Sequence, residues 1–432
     1  MLKQLSTYSF LLLTFFASSQ IEEVRRITET LCSEEFHGRG YYERGDSIAA
    51  AFLAEEFEKI GVNPYKKQEY LQRFTIQGIN SFNGAMDVMH NGDSLVPGVH
   101  FMIDPESSGV KGELMPVVLD GAKLISTENS SGFNEEYLQE KAKELALHNK
   151  NCLLFDLSAL SADSARMLAG LSKALVNEVP VIEVVSSKFT WSVGRKQLPN
   201  PLIYIQDSTY VEGQSFECTI DAEYIERYPS QNVIAYLPAK KKCAETIVFT
   251  AHYDHLGRMG LETYFPGAND NASGTAMLIT MAKYFLKNPS KYNIMFIAFA
   301  GEEAGLLGSE YYVAQPYEKL KKIKFLLNLD IMGSGEEGIT AVNATLFEDE
   351  FELLQKINEE KDLLAKIKKR GPASNSDHYW FTEKGVPAFF IYTMGPNKNY
   401  HDVFDTYDEL SFVEYEDITE LLVTFVEGLP KK

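Results

Sequence analysis

The chain has 432 residues, of which 45% are hydrophobic and 24% charged, with 61 acidic against 41 basic side chains. This composition is that of a globular protein with enough apolar residues for a large core, and it excludes a disordered or fibrous chain. The formal net charge of −20 would repel a phosphate backbone or an anionic membrane surface, so nucleic acid is not an expected partner.

The N-terminus has the pattern of an export signal, which we predict over residues 1–19. Lys3 precedes a short apolar run, Phe10–Ala17, and the small residues at 17–19 form a cleavage site before Gln20. The run is far shorter than the roughly 20 apolar residues of a membrane-spanning helix, and no later segment is long and apolar enough. We therefore expect an exported protein, periplasmic or extracellular, with no transmembrane segment after signal removal.

The four cysteines are spread along the chain. An oxidising compartment would allow up to two disulfides among them, with three possible complete pairings. None of their spacings is that of a zinc knuckle, so a cysteine metal site is not expected. The four are Cys32, Cys152, Cys218 and Cys243.

The first part of the predicted mature chain shows helical periodicity. Apolar residues recur at helical spacing over Ile21–Thr30 and Asp46–Ile60. From residue 86 the pattern changes to short β-like runs separated by polar helical stretches. We interpret residues 86–214 as an inserted β-rich domain, which divides a main domain into residues 20–85 and 215–432.

The second half of the chain alternates strands and helices. The helical stretches Gly274–Leu286 and Ala304–Ala314 lie between apolar runs of strand length, which is typical of crossover units. This pattern predicts an α/β fold with a mostly parallel central sheet and helices on both faces. The strand-length runs are Asn232–Leu237, Thr246–Ala251, Asn293–Ala300, Lys324–Leu329 and Val386–Tyr392.

Ligand-type side chains follow several of these predicted strands. Open α/β sheets bind ligands at the carboxyl ends of their strands, so we expect these side chains to converge in one crevice. Asp270, on a glycine-flanked loop before a helix, and His401, in a later loop, complete the set. The residues that follow the strands are His252, Asp254, Glu302, Glu303 and Asp330.

Histidines and carboxylates are a donor set that suits zinc, which accepts nitrogen and oxygen ligands and keeps a catalytic position open for water. Two histidines and three carboxylates suffice for two ions if one carboxylate bridges them. Ions about 3.5 to 4 Å apart repel each other, so an anionic bridge is required. Asp270 can approach closely enough to serve as that bridge.

Five motifs, in order, resemble the di-zinc aminopeptidases of the secreted bacterial leucyl aminopeptidase type. They are TAHYDHLG at 250–257, GANDNASG at 267–274, FAGEE at 299–303 followed by Gly308-Ser309, NLDIMG at 328–333, and the closing His401. The resemblance covers residues 21–85 and 215–432. It implies the phosphorylase/hydrolase-like fold of zinc exopeptidases.

The same resemblance implies two zinc ions as cofactors and peptides with a free N-terminus as substrates. One ion would be held by His252, Asp270 and Asp330. The other would be held by Asp270, Glu303 and His401. Asp270 would therefore be the bridge between the two ions.

Two further residues take catalytic roles by this resemblance. Asp254 would orient His252, since a ligating histidine commonly gives its other N–H to a carboxylate. Glu302 would be the general acid/base that takes a proton from a metal-bridged water and passes it to the leaving amine. The reaction implied is hydrolysis of the N-terminal residue from a peptide.

The group that polarises the substrate carbonyl is left open by the sequence. Several members of the family place a tyrosine shortly before a Ser-Asp-His segment, which here is residues 376–378, and near that place this chain has Ser374. Ser374, Asn375 and His378 are alternative donors. Asp377 and His378 are predicted to line the substrate pocket.

The section at 86–214 occupies the place where some relatives carry a protease-associated domain, and its β-rich pattern is similar to one. We interpret it as a lid or a substrate-positioning module, with an unrelated structural insertion as the alternative. The sequence gives no indication of the oligomeric state.

Three other functions are compatible with the same family. A glutaminyl cyclase of this family would be expected to hold one zinc ion without the complete bridging set, whereas this chain carries the full set of ligand-type residues. A carboxypeptidase needs a basic group for the terminal carboxylate of its substrate, and none can be identified. A receptor-like binding protein would be expected to have lost ligands, and none is lost here.

Overall fold

The computed structural model of the protein describes residues 21–65, 68–117, 119, 121–124, 132–147 and 150–431. The predicted export signal at 1–19 lies outside these residues. Within the described chain, every helix falls short of the length or the apolar character that crossing a bilayer requires.

The strands come first in the description because the site is built on their ends. In chain order they are β1 (Asn63–Pro64), β2 (Leu71–Ser81), β3 (Met86–His90), β4 (Asp93–Ser94), β5 (Phe101–Ile103), β6 (Val110–Val117), β7 (Asn151–Asp156), β8 (Val181–Val185), β9 (Leu202–Gln206), β10 (Phe216–Ile220), β11 (Glu223–Leu237), β12 (Thr246–His252), β13 (Arg258–Met259), β14 (Thr263–Tyr264), β15 (Asn293–Phe299), β16 (Ile323–Leu329), β17 (Gly338–Val342), β18 (Ile367–Lys369) and β19 (Ala388–Met394).

The helices cover the sheets and connect their strands. In chain order they are α1 (21–31), α2 (Gly45–Ile60), α3 (Gly121–Leu124), α4 (Glu135–Leu145), α5 (Ala162–Leu175), α6 (Gly274–Lys287), α7 (Leu307–Ala314), α8 (Glu348–Lys361), α9 (His378–Glu383) and α10 (Tyr415–Gly428).

The main sheet runs in the order β1-β11-β15-β12-β16-β19-β17-β18, and β2 also pairs with β11. Its central strands β15, β12, β16 and β19 are parallel to one another. The predicted parallel sheet is confirmed for this centre. Towards the edges the sheet becomes mixed, because β11 pairs antiparallel with β15 and β17 antiparallel with β19.

The central strands are buried on both faces, which explains their continuous apolar sequences. In β12, Ile247 and Phe249 belong to a core that includes residues of α2, α6 and α10. Val248, which points to the other face, belongs to a second core with Tyr312 of α7 and Phe381 of α9. Helices therefore cover both faces, as the alternating pattern predicts.

A second sheet lies between β2 and β11 in the chain. Its order is β4-β3-β10-β6-β7-β8-β9-β5, with β6, β7, β8 and β9 parallel. Helices α4 and α5 pack on it around a core of their own. Strand β10 belongs to this sheet, because its backbone pairs with β3 and β6. It lies after residue 214, which is the boundary predicted from the sequence.

The cysteines, which all lie in the described part of the chain, are free thiols. Cys32, Cys152 and Cys218 are buried, and Cys243 is partly buried. The structure therefore contains neither of the two disulfides that the sequence allowed.

Candidate metal centre

The ligand-type residues predicted from the sequence lie at the carboxyl edge of the central strands. His252 is the last residue of β12, Asp330 directly follows β16, and Glu302 and Glu303 lie in the turn after β15. His401 approaches from the loop after β19. Because β12, β15 and β16 are parallel neighbours, their ends meet at one edge of the sheet.

Asp270 lies between two histidines and turns one carboxylate oxygen towards each. Its Oδ1 is 3.1 Å from Nε2 of His252, and its Oδ2 is 3.1 Å from Nε2 of His401. Asp330 Oδ1 lies 3.4 Å from the same nitrogen of His252, and Glu303 Oε2 lies 3.1 Å from that of His401. The structure thus forms two adjacent groups of donors that share Asp270.

The backbone around Asp270 is shaped by neighbouring side chains. Residues Ala268–Ser273 form a wide helical turn in which the Asp270–Asn271 peptide bond is cis. The N–H groups of Asn269 and Asp270 donate to Asp405 Oδ2 at 3.1 and 3.0 Å. The side chain of Asn271 donates to the carbonyl oxygen of Leu329 at 3.0 Å. The Asn271 bond holds the Asp270 turn against the end of β16, and the bonds to Asp405 hold it against the loop after β19.

Arg39, which the sequence analysis missed, is a buried residue that holds two loops of the site together. Its fully buried guanidinium group donates to the carbonyl oxygens of Tyr253 at 2.8 Å, Pro266 at 2.6 Å and Gly267 at 2.7 Å. Buried donors need such acceptors. The segment with His252 and the segment with Asp270 are therefore held together by one side chain.

Asp254 lies beside His252 and beside the turn that carries the two glutamates. Its Oδ1 lies 3.8 Å from Nδ1 of His252, which is too long for a hydrogen bond, while its backbone oxygen lies 3.2 Å from that nitrogen. The carboxylate instead accepts the N–H groups of Glu302 at 3.2 Å and Glu303 at 3.4 Å. The main chain of Asp254 therefore faces His252, and its side chain fixes the turn that carries both glutamates.

His255 is a second residue that the sequence analysis did not single out, although it lies in the motif at 250–257. Its Nδ1 lies 2.7 Å from Glu303 Oε1. Its Nε2 is buried without a hydrogen-bond partner among the described residues. Glu303 thus has one oxygen on His255 and the other on His401.

Asp330 is held by a chain of polar side chains that crosses the sheet. Ser376 donates to Asp330 Oδ2 at 2.8 Å, and Asn328 donates to Ser376 Oγ at 2.7 Å. Thr250 donates to Asn328 Oδ1 at 2.6 Å. Asp330 Oδ1 therefore remains directed towards His252.

The two adjacent glutamates have opposite electrostatic environments. Burial raises the pKa of Glu302 well above its ordinary value, because the opposing effect of His252 does not compensate for it. Burial also acts to raise the pKa of Glu303, but the nearby His401 and the hydrogen bond from His255 outweigh it and hold that pKa to about 2. Glu302 therefore favours its protonated form more than an exposed glutamate does, whereas Glu303 is ionised.

The imidazoles respond to the same crowding of carboxylates. Burial lowers the pKa of His252, but the charges of Glu302 and Asp330 outweigh it and raise the pKa well above its usual range. His401 behaves likewise, with Glu303 as the main opposing charge and a pKa of about 11. Both pKa values are raised because the carboxylates of the centre outnumber the positively charged groups around them.

A bound cation fits this centre. Asp270, Glu303 and Asp330 are buried or nearly so, and no Lys or Arg in the described chain forms an ion pair with them. Buried carboxylates without a compensating positive charge are strongly unfavourable. Donor atoms within 4.8 Å of one another form three overlapping groups: His252 with Asp270 and Asp330, His252 with Glu302 and Glu303, and His255 with Asp270 and Glu303.

The predicted pocket residues divide into two pairs. Ser374 and Asn375 are exposed, whereas Asp377 and His378 are fully buried. Burial raises the pKa of Asp377 to about 7, and His252 acts in the opposite direction. The ring of His378 lies 5.3 Å from that of Phe390, and burial lowers its pKa to about 4.

Tyr400 is a third residue that the sequence analysis missed. It immediately precedes His401, and the two rings stack. Burial and the charges of Asp270 and Glu303 raise the pKa of its phenol. Its adjacency to a predicted ligand was the signal that could have identified it.

The fold and the site together define a class: an α/β protein with a candidate metal centre at the carboxyl edge of its sheet. Residues 232–426 match the family model described as Peptidase family M28. The resemblance to aminopeptidases of this family, which the motifs predict, is confirmed.

Individual relatives agree with that assignment. The chain is 27% identical over 319 residues to Aminopeptidase YwaD of Bacillus subtilis, a match that covers 70% of this chain and 66% of that one. It is 29% identical over 233 residues to Leucine aminopeptidase 1 of Arthroderma otae, covering 49% and 61%. The chain thus spans slightly less than two thirds of the length of these relatives.

The fold is also that of a solved structure. A zinc aminopeptidase from Bacillus subtilis, BSAP, superimposes with a TM-score of 0.66 over 95% of both chains at 20% identity. The likeness therefore includes the second sheet as well as the main one.

Proposed function

We propose that the protein is a zinc-dependent aminopeptidase that removes N-terminal residues from peptides. The observation that carries the proposal is Asp270, buried between His252 and His401 with one oxygen towards each. A protonatable carboxyl group, Glu302, lies in the same cluster. The relatives described as aminopeptidases support this choice over a glutaminyl cyclase or a binding protein.

The centre is proposed to hold two zinc ions. His252, Asp270 and Asp330 would hold one, and Asp270, Glu303 and His401 the other. When bound, zinc would polarise the substrate carbonyl and lower the pKa of water. His255 is proposed to orient Glu303, because its Nδ1 lies 2.7 Å from Oε1, the carboxylate oxygen that does not face His401.

Glu302 is the proposed general acid/base. Burial raises its pKa, so the side chain holds a proton more readily than an exposed glutamate does and can pass that proton to the leaving amine. The carboxylate of Asp254 fixes the backbone of Glu302 through a hydrogen bond of 3.2 Å, which limits where the side chain can move.

Tyr400 is the proposed donor to the substrate carbonyl oxygen. Its ring stacks on that of His401, whose Nε2 contacts Asp270 and Glu303. A hydroxyl held at this position can donate a hydrogen bond to an oxygen that gains negative charge. Tyr400 is preferred to Ser374 and Asn375 because it stacks on His401, and to His378 because the ring of His378 is buried against Phe390.

The remaining parts of the proposal concern location and organisation. We propose that the chain is exported after removal of residues 1–19. We also propose that the section around residues 86–214 is an inserted domain in a main domain formed by residues 20–85 and 215–432, with the second sheet as its framework.

The decisive test is an assay of the purified protein on matched peptides. Peptides with a free N-terminus, N-acetylated peptides and peptides with N-terminal glutamine would be compared, with and without a chelator. The proposal expects release of N-terminal residues that stops when metal is removed. Cyclisation of glutamine without hydrolysis, or release from the carboxyl end, would contradict it.

A further inference from the structure

His401 is held by a residue of the second sheet. Its Nε2 faces Asp270 and Glu303, and its Nδ1 lies 3.0 Å from the carbonyl oxygen of Trp191. The N–H group of Trp191 in turn donates to the carbonyl oxygen of His401 at 2.8 Å. Two hydrogen bonds therefore fix both the main chain and the ring of His401.

Trp191 belongs to the loop between β8 and β9, residues 186–201, which we call the 186–201 loop. Its Nε1–H donates to the carbonyl oxygen of Ile103 in β5 at 2.8 Å. Its ring stacks on that of Phe265, with centroids 4.8 Å apart. Because Trp191 is 6% exposed and fixed at both ends, its carbonyl oxygen has a defined position.

A second contact joins the same loop to the residue after His401. Lys188 forms an ion pair with the buried carboxylate of Asp402 and donates to the carbonyl oxygen of Lys398 at 3.1 Å. Asp402 also accepts the N–H groups of Tyr400 at 3.1 Å and Phe404 at 2.8 Å. Lys188 thus stabilises the conformation of the short segment that carries His401.

His252, the other histidine proposed as a ligand, makes no such connection with the second sheet among the described residues. Nδ1 of His252 faces the backbone oxygen of Asp254, two residues further along the same chain segment. Its carbonyl oxygen accepts from Thr275 of α6 at 2.8 Å. His252 is therefore oriented by the main sheet and its helix, and only His401 depends on the second sheet.

We infer that the 186–201 loop is a positioning element for His401, acting through Trp191 and Lys188. An acceptor on Nδ1 sets the tautomer that leaves Nε2 free to bind a metal, and it fixes the direction of the ring. The second sheet would therefore control the zinc ion shared by Glu303 and His401 and leave the ion at His252 and Asp330 unaffected. The inference rests on the proposed two-zinc function.

Two substitutions weaken this element in different ways. Lys188→Met removes the ammonium group and keeps the length of the side chain, which is 45% exposed. Trp191→Phe keeps an aromatic ring for Phe265 but removes the bond to Ile103. The matched control is Lys173→Met on α5, which breaks ion pairs with Asp104 and Glu106, just after β5, without touching the His401 segment.

The measurement is a zinc titration of the metal-free full chain in a zinc buffer, together with its melting temperature. We expect Lys188→Met and Trp191→Phe to weaken one of two zinc sites by about 10- to 100-fold, the usual effect of removing support behind a ligand. The other site and the control variant keep wild-type affinity. A purely structural role would instead lower the melting temperature without a selective loss of affinity at one zinc site.

His401→Ala assigns the weakened site. In that background Lys188→Met is expected to have no further effect, because the ligand on which it acts is gone. Equal weakening of both sites, no weakening, or full additivity with His401→Ala would overturn the inference. Wild-type protein that binds fewer than two ions would overturn it as well, whereas protein that binds two but releases no N-terminal residues contradicts the proposed function alone.

Discussion

The ring of Tyr400 lies flat against the ring of His401, with centroids 3.9 Å apart and planes within 11°. This stacking fixes a phenol beside a proposed metal ligand, while 47% of the tyrosine remains exposed and accessible to a substrate. The pair therefore joins the metal centre to the surface from which a peptide would enter.

Tyr400→Phe tests the hydroxyl without removing the stacking. We expect kcat to fall by about 100- to 1,000-fold, as for loss of one donor to a developing oxyanion, with zinc content unchanged. Steady-state kinetics with metal analysis measures this. Tyr284→Phe, which removes a partly exposed phenol near the C-terminal end of α6, is the control and keeps wild-type kcat. An unchanged kcat in Tyr400→Phe would show that another group polarises the carbonyl.

Glu302→Gln tests the general acid/base. Because the variant cannot exchange a proton, we expect kcat to fall by about 100- to 10,000-fold while zinc content is retained. Glu303→Gln is the comparison, since Glu303 is ionised with a pKa of about 2 and contacts His401. That variant is expected to lose an ion. The reverse pattern, with zinc lost from Glu302→Gln only, would exchange the two roles.

Removal of metal tests the charge balance of the centre. Chelation is expected to abolish activity and to lower the melting temperature, because the buried carboxylates then repel one another. Zinc at 100 times its dissociation constant would stabilise the fold by about 2.7 kcal/mol per independent site. Calorimetry with graded free zinc measures the effect. Full activity in protein freed of metal would rule out the centre as the catalytic site.

Acetylation of the substrate tests the end from which peptides are cut. A free α-ammonium group can pair with carboxylates of the acidic centre, and such charge-assisted bonds contribute about 1.5 to 3 kcal/mol. We therefore expect kcat/KM to fall by about 10- to 100-fold on acetylation. Matched peptides with and without the acetyl group give this ratio. Equal values would argue against aminopeptidase specificity.

Glu183 in β8 gives a prediction for stability that is independent of the metal. Burial raises its pKa from 4.5 to about 7, and the hydrogen bond from Ser172 only partly opposes this. The folded state then binds more protons than the unfolded state between these two values. The free energy of unfolding therefore falls as pH rises from 4.5 to about 7, by about 3 kcal/mol, and does not change further from this cause.

Glu183→Gln removes that titration while its amide oxygen can still accept from Ser172. We expect the variant to gain stability relative to wild type at pH 8 and to show a flatter profile between pH 4.5 and 7. Denaturant unfolding at several pH values measures the difference. Glu178→Gln, at an exposed position before β8, is the control and follows the wild-type profile.

The strands of the main sheet could be predicted from the sequence because the patterns that indicate them are local. The apolar runs at Asn232–Leu237 and Thr246–Ala251 lie within β11 and β12, and a run of strand length flanked by polar residues is a property of neighbouring residues. The helix predicted from Ala304 begins only at Leu307. The chain first makes a turn in which the carbonyl oxygen of Glu302 accepts the N–H group of Leu306, a detail that periodicity does not contain.

What the sequence determined by itself is the set of strand ends and the ligand-type residues on them, because alternation along the chain fixes which residue follows a strand. Only the tertiary structure decided which groups support those residues. Arg39 reaches Gly267, and Trp191 reaches His401, across more than two hundred positions of the chain. Such contacts depend on how the loops and the two sheets pack together, and no local pattern of hydrophobicity or turn residues encodes that packing.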